Sequence, residues 1–127
     1  MFTALVVDDD EITRRTLQRS LPFETQTASN IEEALFLATR LSPSVIMLDV
    51  HLYEDEMTGI DAVPLFRQAS PASQIIVMSA YERTSDRDEA LQAGARYASK
   101  EPALLRAVAL AALCHHVHVV RGPWTLQ

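Results

Sequence analysis

Four short apolar runs, each ending on a residue that carries chemistry, constrain this chain more than any other feature. Ala4-Leu5-Val6-Val7 runs into Asp8, Val45-Ile46-Met47-Leu48 into Asp49, Gln74-Ile75-Ile76-Val77-Met78 into Ser79, and the weaker Arg96-Tyr97-Ala98-Ser99 into Lys100. Continuous apolar runs, unlike alternating ones, suit strands covered on both faces, as in a parallel sheet. A fifth strand is expected near residues 23–28, where the pattern is weakest.

Helical periodicity fills the intervals. Ile31, Ala34, Leu35, Ala38 and Leu41 fall on one helix face, Ser29 with Glu32 reads as a capping box, and Pro43 follows the stop. A first helix over about 11–21 opens with acids, which suits its positive dipole end. A third is expected over 60–69, with Pro64 near its first turn, and a fourth over 86–93, closed by Gly94 as a left-handed cap. The fifth begins after Pro102 and runs to about residue 115. Strand and helix alternating in 127 residues predict one domain of the α/β class, a doubly wound (βα)5 fold with a five-stranded parallel sheet and right-handed crossovers.

Composition narrows the partners. A net charge of −6 offers no attraction to nucleic-acid phosphate or anionic lipid, so direct nucleic-acid binding by this chain is not expected. The single Cys114 excludes an internal disulfide. The nearly apolar stretch 103–114 falls short of the roughly 20 residues that a membrane span requires. No signal-type segment opens the chain, and a cytoplasmic location is expected.

In an open parallel sheet, ligands bind outside the carboxyl ends of the strands. Asp8, Asp9, Asp49, Ser79 and Lys100 all stand at such ends and are expected to converge in one crevice. Gathered carboxylates repel one another, and a hard cation with oxygen ligands, most simply Mg²⁺, relieves this. Lys100 is the only lysine in the sequence; its compact ammonium can meet a phosphoryl oxygen, and Ser79 can hydrogen-bond another. A carboxylate nucleophile that forms an aspartyl phosphate is the chemistry that fits.

The run Leu5-Val6-Val7-Asp8-Asp9, Asp49, Ser79 thirty positions later, Tyr97, and Lys100 twenty-one after Ser79 resemble the receiver domain of two-component response regulators, which belongs to the CheY-like superfamily. The likeness covers residues 3–116. Met57-Thr58-Gly59-Ile60-Asp61 looks like the family's loop into the third helix, and Ala93-Gly94-Ala95 like its turn before the fifth strand. The resemblance implies a flavodoxin-like topology, with a receiver domain over 1–118 and a tail or linker over 119–127. It further implies that Asp49 accepts a phosphoryl group from a histidine kinase or phosphotransfer protein. Asp8, Asp9, Asp49 and the backbone carbonyl of His51 would hold Mg²⁺. Ser79 and Tyr97 would form the switch, and Lys100 would pair with the phosphoryl group. The face made by the fourth helix, fifth strand and fifth helix would then shift to bind partners or a second copy. On this reading the chain is a phosphoacceptor signalling domain rather than an enzyme, although it can assist its own phosphorylation and dephosphorylation.

The chain departs from the family pattern at several points. Tyr53 stands where the family usually has proline, the segment from Asp49 to Gly59 spans ten positions where about eight are common, with its extra residues within Tyr53-Glu54-Asp55-Glu56, and Glu101 separates Lys100 from Pro102. His51 and Tyr81 stand where the family tunes phosphoryl lifetime. Histidines 115, 116 and 118 read as helix-end residues rather than ligands. The fifth helix is apolar on more than one face, from Leu104 to Leu113, which points to a second buried surface and so to a homodimer or output partner. Beyond it, residues 117–120 could form a short strand or begin a linker. Two alternatives stand beside the leading one. The first is a receiver-like module that binds partners without phosphorylation. The second is a haloacid-dehalogenase-like phosphatase with Asp8 as nucleophile and Asp10 as acid/base, although Ile12 stands where that family has threonine.

Overall fold

The computed structural model describes residues 2–53, 55–81 and 83–121, with side chains up to Cys114. In chain order the elements are β1 (Thr3–Val7), α1 (Glu11–Ser20), β2 (Glu24–Ala28), α2 (Ile31–Leu41), β3 (Val45–Asp49), α3 (Gly59–Ala69), β4 (Gln74–Ser79), α4 (Thr84–Gln92), β5 (Arg96–Ser99) and α5 (Pro102–Arg121). The five strands form one sheet in the order β2-β1-β3-β4-β5, every pair parallel. This is the doubly wound arrangement expected from the sequence, and its switch point lies between β1 and β3.

Alternate strand side chains feed two cores. Leu5, Val7, Ile46, Leu48 and Val77 pack with α2, α3 and α4 through residues such as Ala34, Ala38, Phe66 and Ala90. Val6, Met47, Ile76 and Met78 pack with α1 and α5 through Leu17, Leu105, Ala109 and Leu113. The central strands are therefore buried on both faces, which is why their sequences read as unbroken apolar runs. Strand β2 sits at an edge and buries only Thr25 and Ala28, which explains its faint sequence pattern.

Register carries the sheet to the site. Val7 lies opposite Leu48, Asp49 opposite Met78, and Ser79 opposite Ser99. Asp8, which follows β1, and Asp49, which ends β3, thus emerge at the same level, and Lys100 emerges one residue beyond the Ser79–Ser99 pair.

Local details differ from the sequence reading. The cap of α2 is Asn30, whose side chain accepts from the Glu33 amide at 2.8 Å, one position beyond the Ser29–Glu32 box. A reciprocal capping box does occur at α3, between Thr58 and Asp61. Because α3 starts at Gly59, Pro64 lies past its first turn, inside the helix on an exposed face. Gly94 takes φ +92° as anticipated after α4, which itself spans Thr84–Gln92. Helix α5 continues to Arg121, so residues 117–120 are helical and not a strand. The histidine side chains 115, 116 and 118, residue Glu54 and residues 122–127 lie outside the described set.

The two-core layout has a direct test. Phe66 is fully buried while its neighbour Leu65 is 38% exposed. Phe66→Ala is expected to cost about 3–5 kcal/mol of unfolding free energy and Leu65→Ala under about 1 kcal/mol, measured by urea denaturation.

Candidate functional site

The strand ends bring the side chains of Asp8, Asp9, Asp49 and Lys100 together, with Ser79 ending the neighbouring β4, and two of the gathered groups are carboxylates with almost no exposure. Asp8 is fully buried and Asp49 is 3% exposed. Lys100 Nζ lies 2.6 Å from Asp8 Oδ2 and 3.1 Å from Asp49 Oδ2, so one ammonium bridges both acids. The Lys100 amide donates to the Ser79 carbonyl at 2.9 Å, which ties the lysine's backbone to the end of β4. Asp8 is further fixed by the Asp10 amide, which donates to its Oδ1 at 2.9 Å, and by Arg14, which donates to its carbonyl at 2.8 Å.

Asp9 is half-buried and accepts at Oδ2 from the Tyr53 amide at 3.0 Å. Asp8, Asp9 and Asp49 each present one carboxylate oxygen, all within 4.8 Å of one another. Three hard oxygen donors gathered this closely, with one ammonium to offset them, fit a divalent cation of the Mg²⁺ or Ca²⁺ type.

Electrostatics reflect the crowding. Burial first, and the Asp8 charge second, push the Asp49 carboxyl up to about 6 in spite of Lys100. For Lys100, burial works against the charged form, but the hydrogen bond to Asp8 and the charges of Asp49 and Asp8 outweigh it and raise its pKa.

One position in the site admits no side chain. The Gly59 amide donates to the Val50 carbonyl at 2.8 Å, and a Cβ at residue 59 would lie 2.0 Å from the Asp49 carbonyl oxygen. The start of α3 is thereby pressed against the backbone of the central aspartate.

On the far side, the Ser79 hydroxyl donates to the Tyr81 carbonyl at 2.7 Å and accepts from the Tyr81 amide at 3.1 Å. The Tyr97 hydroxyl reaches the same carbonyl at 3.4 Å. Its ring is 8% exposed, already turned inward, and lies under the Arg87 guanidinium at 5.4 Å from the ring centroid. The Tyr81 carbonyl thus joins the hydroxyls of Ser79 and Tyr97, a junction that side-chain patterns do not display. The His51 amide points to Asp49 Oδ1 at 3.4 Å. Asp10 is not part of the gathered acids: its carboxylate caps α1, accepting from the Thr13 amide at 3.0 Å and the Thr13 hydroxyl at 2.6 Å, and these bonds lower its pKa.

Comparison with known proteins agrees with this geometry. The family model described as the response regulator receiver domain matches residues 4–108. Among curated relatives, the chain is 35% identical over 94 residues to the regulatory protein AtoC of Escherichia coli. It is 32% identical over 95 residues to the probable transcriptional regulatory protein TcrX of Mycobacterium tuberculosis. These alignments cover 72% of this chain but only 20% and 40% of the respective relatives, so the chain spans less than half the length of either. Among solved structures, a response regulator from Burkholderia pseudomallei, crystallised with a phosphorylated aspartic acid, calcium ion and citrate, superposes with a TM-score of 0.78 at 31% identity, covering 89% of this chain and 66% of that one. A CheY-like receiver domain protein from Methanospirillum hungatei superposes with a TM-score of 0.82 at 21% identity, covering 91% and 96%, which bears on the fold alone. The chain belongs to the response regulator receiver domain family of two-component signalling. The haloacid-dehalogenase alternative accordingly loses its footing, since its acid/base would be Asp10, an exposed helix cap.

The raised Asp49 pKa fixes the sign of a pH effect. The unfolded carboxyl titrates near 3.8 and the folded one near 6, so between these values the folded state binds the proton more tightly and stability falls as pH rises. Without divalent metal and at about pH 7.5, Asp49→Asn is expected to be more stable than the parent by up to roughly 2–3 kcal/mol, with the gap closing below about pH 4. Urea unfolding in chelator across this range checks it, and Mg²⁺ should narrow the gap by stabilising the parent.

Proposed function

We propose that Asp49 is the phosphoryl acceptor of a Mg²⁺-dependent signalling switch. The observation that carries this reading is the buried Asp49 carboxylate, bridged to Asp8 by Lys100 and grouped with the oxygens of Asp8 and Asp9. The Burkholderia structure, which contains a phosphorylated aspartic acid and a calcium ion, lends it support.

Asp8, Asp9, Asp49 and the carbonyl of His51 would hold the metal. Bound there, Mg²⁺ supplies positive charge against the developing charge of the transferring phosphoryl group. The ionised Asp49 oxygen attacks phosphorus; the bond to the donor nitrogen of a phosphohistidine, or to the acyl oxygen of acetyl phosphate, breaks and its electrons leave with the donor. Asp49 needs no proton removed at neutral pH once the site's cations favour its charged form. Lys100 already meets Asp49 at 3.1 Å, which sets its ammonium beside the oxygen that would carry the phosphoryl group. The partners are a histidine kinase or phosphotransfer protein in the cytoplasm, and the chain acts as a phosphoacceptor domain rather than a turnover enzyme.

The switch follows from the Tyr81 junction. When the Ser79 hydroxyl leaves the Tyr81 carbonyl for a phosphoryl oxygen, Tyr97 becomes that carbonyl's remaining hydroxyl partner and is held more firmly inward. Helix α4 is free to respond, because it buries only Ala90 and its N-cap, Arg83, makes no side-chain capping bond. On the other side of β5, α5 leaves Leu104 and Leu110 exposed, 39% and 43%, which supports a dimer or output-partner surface that includes this helix.

Acetyl phosphate with Mg²⁺ is expected to add one phosphoryl mass to the chain, and Asp49→Asn to abolish it. Full labelling of that variant overturns the acceptor assignment, and no labelling of the parent favours a module that works without phosphorylation. Lys100→Arg should retain much of the labelling yet lose the phosphoryl-dependent change in the Tyr97 environment, because a planar fork cannot replace a compact ammonium bridging two carboxylates. Light scattering with and without a phosphoryl mimic tests the α5 surface: a monomer under both conditions removes the dimer.

A further inference from the structure

We propose that Asp55 is a positioning residue for the metal site: it latches the lengthened β3–α3 segment onto the start of α2, so that the Tyr53 amide holds the Asp9 carboxylate ready for a cation. The inference rests on the metal reading above.

The start of α2 leaves backbone amides without intrahelical acceptors. Asn30 takes the Glu33 amide, and the Ile31 amide donates to Asp55 Oδ2 at 3.2 Å, a contact across 24 residues. A carboxylate at this end also meets the helix dipole favourably. Asp55 is in turn tied to its own segment, since its amide donates to the Leu52 carbonyl at 2.9 Å and Leu52 is only 4% exposed. Between these two anchors stands Tyr53, whose side chain is 87% exposed and secures nothing, but whose amide donates to Asp9 Oδ2 at 3.0 Å. The segment is therefore pinned at Leu52 by burial and at Asp55 by the helix, and the amide between the pins is aimed at a metal-site carboxylate.

An N–H bond to a ligating carboxylate orients it and leaves other lone pairs for the ion, as outer-shell donors do generally. Without Asp55's grip on Ile31, Tyr53's amide would have to be ordered at the moment of binding, and the affinity would fall by that ordering cost. Linkage makes the effect reciprocal: a cation that favours the held Asp9 also favours the latched Asp55.

The test is Mg²⁺ titration of the full chain by calorimetry, with amide hydrogen exchange at Ile31 read in parallel. Asp55→Ala is expected to weaken Mg²⁺ binding about tenfold, the size of effect typical for an outer-shell partner. Asp55→Asn retains an acceptor for the Ile31 amide and should recover most of that loss, whereas Glu56→Gln, which removes a neighbouring charge without touching the latch, should change little. Mg²⁺ should also slow exchange at Ile31 in the parent. Unchanged affinity in Asp55→Ala, or an Asp55→Asn as weak as Asp55→Ala, overturns the latch and leaves the metal site standing. A parent that binds no Mg²⁺ overturns the metal reading and the latch together.

Discussion

Two carboxylates buried side by side at the switch point of the sheet are the constraint on which this structure turns. Asp8 and Asp49 follow paired residues of β1 and β3, so the register that builds the core also forces their charges together. Lys100 bridges them, yet it supplies one positive charge against two, with Asp9 adjoining. The imbalance shows in Asp49, held up to about 6 by burial and by Asp8. A site left in this condition favours whatever brings more positive charge, and a divalent cation is the simplest remedy.

The scaffold around this pair is divided by rigidity. Helices α2 and α3 bury several residues each and are capped by side chains, and Gly59 brings α3 against the Asp49 backbone with no room for a Cβ. These elements keep Asp49 still. Helix α4 buries one residue and lacks a side-chain cap, and it lies on the side where Ser79, the Tyr81 carbonyl and Tyr97 meet. A receiver needs both properties, a fixed reaction centre and a neighbouring element whose position costs little to change.

The lengthened β3–α3 segment departs from the family pattern at the border of the Asp8, Asp9 and Asp49 cluster. Acidic residues there invite an electrostatic explanation, but Asp55 has a specific partner in the Ile31 amide, so its charge serves a helix end. A family's shared residues define the reaction, and the loop between them supplies what is particular to one member.

The sequence by itself determined the fold class and the residues that close the central strands. Central strands buried on both faces must be apolar throughout, so β1, β3 and β4 are visible as runs, and the residues that end them are visible as the exceptions. Asp8, Asp49, Ser79 and Lys100 were legible for that reason. The edge strand and the helix ends were less so: β2 at the edge alternates weakly, the α2 cap fell one residue beyond the Ser29–Glu32 pattern, and α5 ran past the expected stop to Arg121. What only the tertiary structure decided were contacts made through the backbone between distant segments. The Asp55–Ile31 bond, the Tyr53 amide on Asp9, the shared Tyr81 carbonyl and the empty volume required at Gly59 depend on how loops lie across one another. Every residue carries the same amide and carbonyl, so no side-chain pattern marks which of them will meet.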